Sequence, residues 1–107
     1  MSLKIENLFH APSGPNDRED TQRLVESGTL QIERIVSHGR PSPDGFWYDQ
    51  PNAEWVALLQ GKATLAVADE VPIELVAGDS LLIPAHLKHR VEQVSADAVW
   101  LAVHYAE

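Results

Sequence analysis

The sequence predicts a single all-β domain of short antiparallel strands. From residue 55 onward the chain runs in apolar stretches of four to eight residues, rich in Val, Ile, Leu and aromatics, each closed by turn residues. No segment sustains the period of an amphipathic helix, and there is no internal repeat or low-complexity tract. With 107 residues, 44% apolar and 22% charged, the chain has the size and composition of one ordinary folded core. A sandwich and a closed jelly-roll barrel satisfy this pattern equally.

In chain order, Met1 to Phe9 reads as a short N-terminal strand. Ala11 to Asp20 (APSGPNDRED) reads as an exposed loop, because two prolines, a glycine and a charge run resist regular structure. Thr21 to Ser27 reads as a short helical turn stopped by Gly28. One domain spanning 1–107 is therefore expected, with its core over about 28–105 and residues 1–27 forming an N-terminal strand and loop. Thr29 to Ser37 (TLQIERIVS) alternates Leu30 and Ile32 against Gln31 and Glu33, then changes phase at Arg34 and Ile35 as a bulged strand would. Arg40 to Gly45 (RPSPDG) is a turn, since each proline removes a backbone donor and Asp-Gly favours a reversal. Strands follow at Trp55 to Gln60, Lys62 to Ala68, Ile73 to Val76, Ser80 to Ile83, His89 to Val94 and Ala98 to Tyr105. Gly61 and Gly78 fall where tight turns call for positive φ.

Several function classes are excluded early. The chain has no cysteine, which removes disulfides, thiolate metal sites and a cysteine nucleophile. The net charge of −8 comes from 16 acids against 8 scattered bases, so no nucleic-acid partner is expected. Apolar runs such as Trp55 to Leu59 and Ala98 to Val103 are too short to span a bilayer, and no membrane partner is expected. Met1 to Phe9 lacks the apolar core of a secretory signal, which predicts a cytoplasmic location.

Two segments narrow the fold further. Gly45, Glu54 and Gly61, with Trp55 to Gln60 between the last two, and the run Gly78-Asp79-Ser80-Leu81-Leu82-Ile83-Pro84-Ala85-His86-Leu87-Lys88-His89 resemble the paired motifs of the cupin family. In that family the first motif is a glycine, two histidines separated by one residue, a glutamate, six residues and a second glycine. The second is a glycine and aspartate, an apolar strand, a proline, a glycine and a histidine; here His86 stands in place of the glycine. The resemblance covers roughly Gly45 to His104 and implies a jelly-roll β-barrel with an interior pocket. The chain departs from the pattern in the first motif. Tyr48 and Gln50 stand where the two histidines belong if the gap to Glu54 is three residues, and Trp47 and Asp49 if it is four. The first alignment is preferred, because Pro51 then follows the second ligand position.

Strand geometry gives the motif residues a physical sense. Glu54, Val56 and Leu58 share one strand face, and His89 shares a face with Val91. A carboxylate entering an apolar interior needs a partner, and a carboxylate with an imidazole are oxygen and nitrogen ligands suited to a divalent metal. The candidate metal ligands are Gln50, Glu54 and His89, with Asp49 and His104 in reserve; Tyr48 and His86 are the candidates for moving a proton. The resemblance implies Fe, Mn, Ni or Zn, a small organic ligand in an open coordination position, and a reaction of the dioxygenase, isomerase or decarboxylase type. The contrasting reading is a non-catalytic binding or regulatory module that has lost the ion together with the two histidines. The resemblance also implies a homodimer, with Met1 to Phe9 and Thr29 to Ser37 as the segments expected to pair.

Overall fold

The computed structural model describes residues 3–10 and 19–107, and its strands follow the apolar runs. They are β1 (Asp20–Ser27), β2 (Leu30–Val36), β3 (Ala53–Gln60), β4 (Lys62–Val67), β5 (Ile73–Val76), β6 (Ser80–Ile83), β7 (His89–Val94) and β8 (Val99–Tyr105). Among the described residues there is no helix. Two antiparallel sheets result, one ordered β1-β2-β8-β3-β6 and the other β5-β4-β7. This is the all-β jelly roll that the motif spacing implies.

The inner faces of both sheets supply the core. Val56 and Leu58 of β3, Ala63 and Leu65 of β4, Leu75 of β5 and Ile83 of β6 are buried, joined by Trp100 and Ala102 of β8. The period of two explains the selection, since Trp55 on the opposite face of β3 is 37% exposed. The Trp100 indole N–H, which would otherwise be stranded in this core, donates to Ser37 Oγ at 2.9 Å. Gly61 and Gly78 hold φ of 90° and 97°, as their turns require.

The N-terminal quarter differs from the expectation in three ways. Thr21 to Ser27 is strand, not a helical turn: it pairs with β2 from Asp20↔Val36 to Ser27↔Leu30. Gly28 (φ 58°) and Thr29 make a two-residue hairpin loop with glycine first, a geometry that matches strand twist and carries the chain straight into an antiparallel return. The bulge lies in β1 between Arg23 and Val25, while β2 runs in unbroken register along β8. Residues 3–7 form no strand; Leu3 and Ile5 are exposed, and most of the expected loop, residues 11–18, lies outside the described residues.

Arg34 accounts for the phase change read in β2. Its side chain is on the outer face yet 6% exposed, because the guanidinium donates to the carbonyls of Asn7, Leu8 and His10 and to Gln22 Oε1. A cation thus occupies a position whose neighbours Ile32 and Val36 are apolar, and the N-terminal segment covers it.

Candidate functional site

The segment before β3 is shaped by two stitches to the β6–β7 connection. Tyr48 and His89 exchange both backbone hydrogen bonds, at 2.8 and 3.1 Å, and the His86 N–H donates to the Gln50 carbonyl at 2.7 Å. The segment is thereby held extended, and alternate residues face opposite ways. Tyr48 and Gln50 line an interior cavity of about 130 Å³, and Asp49 between them points outward. There Asp49 Oδ1 meets His86 Nδ1 at 2.9 Å, and the His86 side chain is 70% exposed. Neither Asp49 nor His86 reaches the cavity among its described lining residues.

Glu54 comes from β3, an inner strand of the large sheet, and is paired with Ile83 of β6 and His104 of β8. His89 opens β7 in the small sheet, so the two meet across the barrel interior. Both are buried, and His89 Nε2 lies 3.5 Å from Glu54 Oε1. The imidazole orientation is fixed from behind, because Nδ1 lies 2.9 Å from the Leu87 carbonyl and must donate to it. In the neutral ring Nε2 then presents its lone pair to the cavity. Tyr48 stacks on the same ring with centroids 5.4 Å apart, and Phe46 packs edge-on against Tyr48 at 4.8 Å.

The electrostatics follow from crowding acids in a small space. Burial lowers the affinity of His89 for a proton, but the contacts with Glu54 and the Leu87 carbonyl outweigh it and hold the imidazole above its ordinary pKa. Burial, with the charges of Glu19 and Glu54, pushes the Tyr48 phenol up. Glu19 is likewise raised, by burial first and then by Glu54 and Glu33. His104 faces the cavity, as the strand pattern allows, but its Nε2 is paired with Glu33 Oε1 at 2.9 Å.

Glu19 and Glu33 were not singled out by the sequence. Glu33 shares a strand face with Ile35, which lines the cavity, and that shared face is the signal that points to it. Glu19 sits in the charge run of the expected loop Ala11 to Asp20, where no periodicity operates.

The donor set fits a divalent ion, narrowly. Two ligands about 2.1 Å from a tetrahedral ion stand about 3.4 Å apart, close to the Glu54–His89 spacing and long for a hydrogen bond. Gln50 Oε1 is buried and has no hydrogen-bond partner among the described residues, leaving a carbonyl oxygen free as a third ligand. No three His, Asp or Glu side chains among the described residues converge closely enough to hold an ion without it. Arg90, the residue after His89, is not among the described residues that line the cavity: it donates to the Ser42 carbonyl and lies over Trp47.

Comparison with known proteins agrees with this architecture. Residues 35–104 match the family model described as the cupin domain. A "putative mannose-6-phosphate isomerase" from Ralstonia eutropha is similar over 98% of this chain and 100% of its own, with 42% identity and a TM-score of 0.90. An RmlC-like cupin protein from Desulfovibrio desulfuricans is 19% identical over 97% of both chains, with a TM-score of 0.77. A cupin superfamily protein from Desulfitobacterium hafniense is 20% identical over 90% of this chain and 84% of its own, with a TM-score of 0.72. The last two share the fold alone. No curated protein matches the chain.

Proposed function

The chain belongs to the cupin family, and from that premise we propose that its pocket binds a divalent transition metal on Glu54, His89 and Gln50, with a small organic molecule beside it. One observation carries the reading: a buried carboxylate and an imidazole nitrogen, its ring fixed by Leu87, stand 3.5 Å apart in a cavity also lined by a buried amide oxygen that has no hydrogen-bond partner among the described residues. Left without a metal ion, the pair is relieved by a proton on His89 Nε2, as the raised pKa of the imidazole reflects, and a divalent cation would take that proton's place. A bound ion would polarise a carbonyl or hydroxyl oxygen of the ligand as a Lewis acid.

Of the reaction types the family implies, we favour an isomerase. The supports are the isomerase in the name of the 42% identical protein and the residues around the ion site. Tyr48, held toward its protonated form by burial and nearby carboxylates, keeps a proton at its phenol oxygen in the cavity that Glu54 also lines. A donor and an acceptor in one cavity are what a proton shift between neighbouring carbons needs. His86, exposed on Asp49, has no part in this scheme.

The second reading, a metal-free binding module, is favoured by the replacement of two expected imidazoles by Tyr48 and Gln50, which leaves two strong ligands and one weak one. Elemental analysis of protein purified without an affinity tag separates them. The metal reading predicts about one equivalent of transition metal per chain, lost on Glu54→Ala or His89→Ala. Less than about a tenth of an equivalent, with none taken up on addition, leaves the metal-free module.

A further inference from the structure

The cavity holds more carboxyl groups than an ion site on Glu54 needs. Glu19 and Glu33 also line it, whereas no lysine or arginine does among the described residues. Glu33 is answered at the rim by His104 at 2.9 Å and by Arg23 Nη2 at 3.8 Å. Glu19 has no such cation among the described residues, and it feels the charges of both Glu54 and Glu33. Arg34, which follows Glu33 in sequence, points to the other face of β2, toward Asn7, Leu8 and His10.

The polar lining offers acceptors at Gln50 Oε1, buried without a hydrogen-bond partner among the described residues, and at Glu54, which His89 approaches at a long 3.5 Å, together with a donor at the Tyr48 hydroxyl. A complementary ligand brings groups that both donate and accept, as hydroxyls do, and no negative charge. Between the polar groups the lining is apolar, with Ile35, Val56, Leu65, Val91 and Trp100, and suits the C–H faces of a carbon skeleton.

We propose that the pocket selects a small uncharged, hydroxyl-rich molecule and rejects the phosphate ester of the same skeleton, with Glu19 and Glu33 enforcing the choice. This rests on the reading of the cavity as a ligand site. It also separates this chain from the phosphorylated substrate in the name of its 42% identical neighbour: the hydroxyl-bearing skeleton fits, and the phosphate does not.

Calorimetric titration with mannose and with mannose 6-phosphate tests the proposal on the purified protein, before and after chelator treatment. Mannose binds and the phosphate ester binds at least about tenfold more weakly, since one like-charge contact in a partly dry site costs that much. Glu19→Gln narrows the ratio, and Glu19→Gln with Glu33→Gln narrows it further; circular dichroism checks the fold, and the single variant serves if the double one does not fold. Binding of the ester as tightly as mannose, binding of neither, or an unchanged ratio in Glu19→Gln overturns the proposal. Metal content of the same samples keeps the two readings apart. Mannose preference in metal-free protein that takes up no ion sinks the metal reading alone, and a metal-loaded protein that prefers the ester sinks this one alone.

Discussion

Every shifted ionisable side chain facing the cavity is held toward its protonated form: Glu19 by burial and two carboxylates, Tyr48 by burial and the same kind of neighbours, His89 by its contacts with Glu54 and Leu87 winning over burial. Folding of the metal-free protein therefore takes up protons, and the sign of its pH dependence follows. The stability His89 contributes is fully present below its ordinary imidazole value and is lost as pH rises through the raised folded one. Glu19 adds a cost that grows as pH rises from the ordinary carboxylate value to its raised one. Both effects lower stability with rising pH, so the Tm of chelated protein is expected to fall between about pH 5 and about pH 8. Glu19→Gln should flatten the acid half of that profile and raise Tm at the alkaline end by a few degrees, about 1 kcal/mol. A Tm that climbs over this range contradicts the assignment. At this scale the sequence was legible where a strand or a motif fixes direction: Glu54, His89, Gln50 and Tyr48 do face one cavity. It was illegible at Glu19, within the stretch read as a loop, and at Asp49 and His86, whose mutual pairing outside the barrel depends on how the β6–β7 connection crosses the segment before β3.

The strands from β2 to β8 were readable because alternation and turn chemistry agree. β1 was not, because Thr21 to Ser27 is a short run between a loop and a glycine, and only its pairing with β2 makes it a strand. Local signals also mark where elements are fragile. A Cβ at Gly61 would lie 2.8 Å from Ala98 Cα on a backbone at φ 90°, so Gly61→Ala should destabilise by about 3 kcal/mol, measured by urea unfolding. A cost below about 1 kcal/mol would mean that this turn is looser than its geometry. Arg34→Met keeps the stem and removes three carbonyl contacts, which should release residues 7–10 from β2. Limited proteolysis within that segment should then quicken several-fold while the barrel stays intact, and an unchanged rate contradicts the staple.

At the scale of the whole molecule, one core of interleaved inner faces supports a pocket whose two principal side chains come from different sheets, Glu54 from one and His89 from the other. A ligand joining them ties the sheets together, so metal should stabilise the entire domain: at about 100 times its Kd the gain is about 2.7 kcal/mol. The site's weakness is also global in origin, since the first motif keeps its carboxylate and glycines but offers Tyr48 and Gln50 in place of imidazoles. The most direct test is equilibrium dialysis of chelator-treated protein against Co²⁺, with its visible spectrum as a second readout of coordination. Wild type should bind about one ion per chain, Gln50→Ala should bind about tenfold more weakly, and Glu54→Ala and His89→Ala should bind none. Uptake undiminished in the last two variants, or absent from wild type, would contradict the account.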